Sequence, residues 1–337
     1  MRVMANTWVL QCRTGFEAEC AAEAGGGIVG EGVVTAAEPA AGAPPLIRRV
    51  FARQAFRQAA SLDALPPGDR INPILAALEA HAGAVNDVLL EHPDTEAGKE
   101  LSGFLKKFIL PLRSALAKRG LPVEKRAARR LHLLFADSRH LRLGFSSGGE
   151  GSPLTNGILR LKLPHAAPSR STLKLEEALL TFLDERERQT LLHPGSQAVD
   201  LGAAPGGWTW QMVKRGMRVT AVDNGPMQEA LMASGLVEHR REDGFRYRPR
   251  RPVDWLFCDM VEQPQRIAAL MGDWLLRGDC RCALFNLKLP MKKRHESLRA
   301  CLDGLAARLD AEGLDYRLLC KQLYHDREEV TTYISLH

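Results

Sequence analysis

Apolar and polar positions change rhythm along this chain. Trp8 to Cys12 alternates at a period near two and predicts a strand. After Gly15, the Ala- and Glu-rich run from Phe16 predicts a helix that glycines 25–27 end. Residues 36–45 read as a loop, and 48–53 begin a second small unit with a break at 66–69. Asn72 caps a helix with Pro73 at its first position. A loop at 93–98 leads into an amphipathic basic helix over 99–119, and 131–135 with 141–145 form a hairpin.

The turn-rich stretch 146–157 (SSGGEGSPLTNG) predicts a link between domains. Beyond it, helices over 172–192, 208–215, 264–277 and 294–312 intersperse with strands at 198–201, 219–223, 253–259, 282–288, 316–323 and 330–336. Strands alternating with helices imply a doubly wound α/β sheet. The resulting division is 1–48, 49–152 and 153–337.

A length of 337 residues with 45% hydrophobic and 26% charged side chains excludes disordered and fibrous classes. No long apolar run predicts a membrane span, and the first twenty residues lack a signal peptide's apolar core. The cytosol is therefore expected. Seven scattered cysteines without a C-x-x-C pair read as buried thiols, not as a disulfide frame or a metal site. The net charge of +6 is uneven: residues 99–142 carry twelve Lys/Arg against three Asp/Glu, a local +9. Such a cluster attracts polyanions, although a merely solvated helix face has the same composition.

The sharpest chemistry lies in DLGAAPGGW (200–208), a strand running into a glycine turn and a helix. Glycine lets backbone approach a ligand, and a helix start offers free N–H groups. Asp223 ends the next strand, 21 residues past Gly202, where a carboxylate can accept both hydroxyls of a ribose. Asp243 and Asp259 follow later strands, at the sheet edge where open α/β sheets bind ligands. Each acid alone also fits a helix cap or a surface charge; their joint placement favours a site. Lys288 ends an apolar strand beside that edge. A lysine there can act as a general base once its neutral form is favoured, or can simply extend its charge into water. Lys174 stands early in the helix after PSRST, and acids at 326–329 precede the last strand.

Together, DLGAAPGGW, the strand-end Asp259 and Lys288, SRSTLKLEE and REEV resemble the FtsJ-type ribosomal RNA 2′-O-ribose methyltransferases. More narrowly, APSRSTLKLEEA, DNGPM, REDGF, CDMVE, FNLKLPMKKR and QLYHDREEVT are similar to the large subunit methyltransferase M branch. The resemblance is dense from 153 to 332. It implies a Rossmann-like class I methyltransferase sheet preceded by a ferredoxin-like piece and a THUMP RNA-binding region. It also implies S-adenosyl-L-methionine as cofactor, a cytidine of 23S ribosomal RNA as substrate, and a cytoplasmic monomer. A catalytic tetrad of Lys174, Asp259, Lys288 and Glu329 is implied, with Lys288 as proton acceptor. Cofactor contacts are implied for Ser171, Ala204, Pro205, Gly206, Gly207, Asp223, Asp243 and Asp259. Ala204 stands where the family often has Cys, which backbone contacts tolerate.

Three other readings remain at this level. Base methylation is disfavoured because Asp259-Met-Val-Glu replaces an N-P-P-Y-type loop. A nicotinamide oxidoreductase is disfavoured by the imperfect glycine pattern and by Pro205, which removes an N–H donor. A catalytically idle RNA-binding factor is disfavoured by the complete tetrad.

Overall fold

The computed structural model describes residues 7–40 and 42–337; residues 1–6 of the N-terminal stretch and residue 41 of the expected loop lie outside the described residues. The chain forms two compact units, Met1–Ile158 and Leu159–His337.

The first unit is α+β and rests on one seven-stranded sheet. Its strands are β1 (Thr7–Cys12), β2 (Gly26–Gly30), β3 (Val33–Ala37), β4 (Ala52–Leu62), β5 (Val88–Glu91), β6 (Arg129–Phe135) and β7 (Leu141–Ser147). Their order is β2-β3-β1-β4-β7-β6-β5, antiparallel except between β5 and β6. The sheet runs unbroken across position 48/49, because β4 pairs with β1 on one side and β7 on the other. Helix α1 (Glu17–Ala24) ends at Gly25, whose φ of 63° only glycine adopts freely.

Helix α2 (Ile71–Ala77) starts earlier than Asn72 predicts, because Asp69 accepts the Asn72 N–H and caps the turn. The basic helix is two, α3 (Glu96–Glu100) and α4 (Ser102–Lys118). Leu105, Leu112 and Leu116 of α4 lie on one face and bury against Leu131, Leu133 and Phe135.

Residues 146–157 are not a free link. Ser146 and Ser147 end β7, and the rest lies against β4. A Cβ at Gly157 would stand 1.9 Å from the Arg53 carbonyl oxygen, and one at Gly151 would stand 2.5 Å from that of Ala55. The glycines are there for close backbone approach. A buried polar cluster holds this stretch. Gln54 donates to Glu91 Oε1 (2.8 Å) and to the Ser152 and Leu154 carbonyls, while Asn156 N–H donates to the same Glu91 oxygen (2.9 Å). Glu91 Oε2 accepts from His132 Nδ1 (3.0 Å), and His132 Nε2 meets Ser146 Oγ (2.8 Å). This serine–histidine–acid chain is closed to solvent, with all three residues at most 1% exposed, so it organises structure and not chemistry.

The second unit has the doubly wound, Rossmann-like sheet that the alternation predicts. Its strands are β8 (Gln197–Leu201), β9 (Arg218–Val222), β10 (Val237–Arg240), β11 (Val253–Cys258), β12 (Cys280–Lys288), β13 (Tyr316–Lys321) and β14 (Glu329–Leu336). The order is β10-β9-β8-β11-β12-β14-β13. The first five run parallel, and β14 is antiparallel to both neighbours. The winding reverses between β8 and β11, which opens a crevice at their carboxyl ends. The helices are α5 (Thr172–Phe182), α6 (Glu185–Leu191), α7 (Gly207–Val213), α8 (Glu229–Met232), α9 (Pro264–Leu276) and α10 (Arg294–Ala311). The single helix expected over 172–192 is broken at Leu183. Asp184 accepts the Glu187 N–H while Glu187 accepts the Asp184 N–H, a capping box that starts α6. All seven cysteines are buried free thiols. Among the described residues no helix is long and apolar enough to cross a membrane.

Candidate active site

Four segments close a cradle at the carboxyl end of β8. Gly202 and Gly206 take φ of 78° and 116°, which bends the chain sharply between β8 and α7. A Cβ at Gly202 would stand 2.7 Å from the Met260 side chain, and one at Gly244 would stand 2.8 Å from Met260 Sδ. The Asp243 loop and the Asp259–Met260 segment therefore press against the end of β8. A Cβ at Gly207 would meet Ser171 Oγ at 2.1 Å, so Ser171 lies against the turn. Trp208 Nε1 also donates to the Ser171 carbonyl (3.1 Å). Asp223 ties two segments together: Oδ2 accepts from Ala204 N–H (3.1 Å) and Oδ1 from Gly225 N–H (2.7 Å). The structure thus gathers Ser171, the turn Ala204-Pro205-Gly206-Gly207, Asp223 and Asp259. Asp243 is exposed, its Oδ1 occupied by the Phe245 N–H (2.9 Å).

Beside the cradle, Lys174, Asp259, Lys288 and Glu329 form a ring of alternating charge. Strand pairing sets half of it, since Lys288 of β12 stands opposite Glu329 of β14. Asp259 follows β11, the other neighbour of β12, and Lys174 comes from the first turn of α5. Lys174 Nζ lies 2.5 Å from Glu329 Oε1 and 3.6 Å from Asp259 Oδ2. Lys288 Nζ lies 3.4 Å from Asp259 Oδ1 and 3.5 Å from Glu329 Oε2. Burial alone would lower the Lys174 pKa, but the Asp259 and Glu329 carboxylates outweigh it and hold the value above an ordinary lysine's. Burial likewise opposes the charge on Glu329, yet its bond to Lys174 and the nearby Lys288 hold it below the ordinary carboxylate range. Glu328, the neighbouring acid, points away to Arg294 (2.6 Å) and is 62% exposed.

This sequence has close relatives. It is 47% identical to the ribosomal RNA large subunit methyltransferase M of Thauera aminoaromatica over 96% of this chain and 94% of the relative. It is 49% identical to the protein of that name from Methylococcus capsulatus over 97% of both chains. The family description "Ribosomal RNA large subunit methyltransferase M, N-terminal" matches residues 69–147, and "FtsJ-like methyltransferase" matches 167–282. The chain belongs to the ribosomal RNA large subunit methyltransferase M family. S-adenosylmethionine is the cofactor of that family, and the cradle fits it. Glycines that no Cβ could replace let its walls close up around the turn, and a carboxylate follows the end of β9.

A further carboxyl lies buried beneath the turn. Asp200, the last residue but one of β8, is 1% exposed. Its Oδ2 accepts from Thr209 Oγ1 (2.6 Å), while Oδ1 has no hydrogen-bond partner among the described residues. Burial pushes this carboxyl up to about 7 against the Thr209 bond, with Asp259 and Asp223 adding to the rise. A carboxyl raised in the folded state binds its proton more tightly there than in the unfolded chain. Its contribution is thus full below pH ~4 and is lost as pH climbs through about 7. Asp200→Asn keeps an acceptor for Thr209 and removes the titration. It should raise the Tm at pH 8 more than at pH 5, by roughly 2–4 kcal/mol of stability. Equal gains at both pH values would reject this account.

Two further residues hold the ring and its surroundings without a sequence signal of their own. Glu177, one turn past Lys174, accepts the Tyr324 and His325 N–H groups (both 2.8 Å) and His325 Nδ1 (2.7 Å). It fixes the loop that leads into β14. Asn286 donates to Asp259 Oδ1 at 2.8 Å, a contact closer than either lysine's.

The basic stretch divides as well. Arg129 caps the carbonyls of His81, Ala82 and Gly83, Arg113 pairs with Asp87, and Arg130 donates to Ser152. Lys106, Lys107, Lys118, Lys125 and Arg126 are exposed and make no ion pair among the described residues.

Proposed function

We propose that the protein transfers the methyl group of S-adenosylmethionine to the ribose 2′-hydroxyl of a cytidine in 23S ribosomal RNA, with Lys288 accepting the proton. The ring of Lys174, Asp259, Lys288 and Glu329 beside the cofactor cradle carries this reading. Family membership supports the ribosomal RNA substrate. We take the enzyme to act as a cytoplasmic monomer.

A ribose hydroxyl is a poor acid, so transfer needs a positioned base and in-line geometry. The cofactor supplies an electrophilic methyl on a sulfonium, whose charge offsets the one left when the ring gives up a proton. The two lysines are not equivalent. Lys174 is held at 2.5 Å by Glu329 and remains an ammonium, a fixed charge. Lys288 has only longer contacts, 3.4 and 3.5 Å, and is the more exposed at 24% against 16%. It is the amine that can meet a substrate hydroxyl. As the oxygen bonds to the methyl carbon and the C–S bond breaks, the hydroxyl proton passes to Lys288 Nζ. Asp259 and Glu329 then hold the ammonium formed. Mapping methylated nucleotides in ribosomal RNA by mass spectrometry, with and without the gene, tests the reading. Loss of a base methyl group in place of a ribose methyl would overturn it.

Cofactor anchoring by Asp223 gives a separate expectation. Asp223→Ala should weaken S-adenosylmethionine binding by ~1–3 kcal/mol, the usual cost of losing a hydrogen bond to a charged group. Calorimetry showing wild-type affinity in a folded variant would reject that assignment.

We assign RNA affinity to the first unit, as a ferredoxin-like piece (1–48) and a THUMP-like piece (49–152) that share one sheet, and catalysis to 153–337. Charge reversal to Glu at Lys106, Lys107, Lys118, Lys125 and Arg126 should weaken RNA binding by roughly tenfold or more and flatten its salt dependence. Cofactor affinity should not change. Unaltered RNA affinity would mark these side chains as a solvated face.

A further inference from the structure

Behind the ring lies a buried chain of polar side chains: Asp259, Asn286, Thr331 and Asp326. Asn286 Nδ2 donates to Asp259 Oδ1 at 2.8 Å. Thr331 Oγ1 lies 2.8 Å from Asn286 Oδ1 and 3.1 Å from each Asp326 oxygen. Asn286, Thr331 and Asp326 are at most 1% exposed. The register explains the chain. Asn286 and Thr331 are paired across β12 and β14, two positions from the Lys288–Glu329 pair and on the same face.

We propose that Asp326, Thr331 and Asn286 form a positioning relay that aims the Asp259 carboxylate at the two lysines. This rests on the proposed function above for what Asp259 does. Donor and acceptor counting fixes the direction. A carboxylate only accepts, so Asn286 must turn its amide N–H toward Asp259 and its oxygen toward Thr331. The single Thr331 hydrogen is then committed to Asn286. Asp326 faces the lone pairs of that hydroxyl and must itself donate, which requires a protonated carboxyl. Its Oδ2 already accepts the Leu323 N–H (2.9 Å), so the proton sits on Oδ1. The charged groups facing Asp326 are Glu177 and Lys174 of α5 and Glu329 of β14. Burial, with Glu329 and Glu177 helping and Lys174 opposing, pushes this carboxyl well above the ordinary range. The relay runs Asp326 to Thr331 to Asn286 to Asp259, each link donating to the next.

Variants of the full-length enzyme test this by single-turnover methyl transfer at saturating cofactor and RNA. Thr331→Val removes the middle hydrogen bond and should slow transfer by about tenfold, with the Kd for cofactor unchanged. Thr331→Ser should restore most of the rate. Asp326→Asn keeps a donor toward Thr331 and an acceptor for Leu323, and should also retain most of the rate. In an Asp259→Ala background, Thr331→Val should add little further loss. The relay is overturned if Thr331→Val transfers at the wild-type rate, if its loss adds in full to that of Asp259→Ala, or if folded Asp326→Asn is inactive, which would show that an ionised carboxylate is needed. Should Thr331→Val not fold, Asp326→Asn still decides. A wild-type enzyme that methylates a base would refute the ribose reading alone, since the comparison with Asp259→Ala needs only methyl transfer.

Discussion

Lys288→Met should fold, bind S-adenosylmethionine and transfer methyl groups more slowly by the ~10²–10⁴-fold typical of removing a general base. Methionine keeps much of the length and apolar bulk of lysine but cannot take a proton. Lys288→Arg should be nearly as slow, because a guanidinium stays protonated at any working pH. The pair separates two roles. A side chain that merely held the RNA backbone would be rescued by arginine, which binds phosphate well. Single-turnover transfer at saturating RNA measures the difference, and near-wild-type activity in the arginine variant would leave Lys288 as an electrostatic clamp. Lys174→Arg supplies a contrast, because Lys174 is needed as a fixed charge. It should lose less than Lys288→Arg.

Glu91→Ala should destabilise the first unit by about 3–5 kcal/mol. Glu91 is 0% exposed and receives donors from Gln54, Asn156 and His132. Truncation leaves the Asn156 N–H and His132 Nδ1 without this acceptor where water does not reach, each at a cost of ~1–3 kcal/mol less whatever the site recovers by relaxing, while Gln54 keeps the Ser152 and Leu154 carbonyls. Glu91→Gln keeps the size and one acceptor oxygen, but its amide hydrogens face other donors. It should fall between wild type and alanine. Urea unfolding of the full chain, followed in parallel with cofactor binding, provides the measurement. A shift below about 1 kcal/mol would mean that the 148–158 segment is held mainly by its apolar and backbone contacts.

Much of the second unit was legible because its signals are local. Apolar runs ending in Asp or Lys, with glycine punctuation, mark the strands around the crevice and place Asp223, Asp259 and Lys288 at one edge. The capping box at Asp184 was equally local, but continuous helix-forming residues on both sides masked it. Strand β10 and helix α8, with four residues each, were missed because neither is long enough to show a period. The stretch 146–157 was misread for a different reason. Glycine and serine enrich both flexible links and places where backbones touch, and only the position of β4 distinguishes them. In the basic stretch, sequence counts charge but not partners, so carbonyl-capping Arg129 looked the same as exposed Lys106. Asn286 and Thr331 lie 45 residues apart and meet only through strand register.

Helix α5 works as a ruler. At its start, Ser171 packs on the glycine turn, and the Ser171 and Thr172 carbonyls accept from Trp208 and Gln211 of α7. One turn on, Lys174 reaches Asp259 and Glu329. The distance from the cofactor wall to the fixed ammonium is thus measured off by three residues of rigid helix. One added or deleted residue between Ser171 and Lys174 would swing the lysine about 100° around the axis and shift it ~1.5 Å along it. This interval admits substitution only, never a change of length.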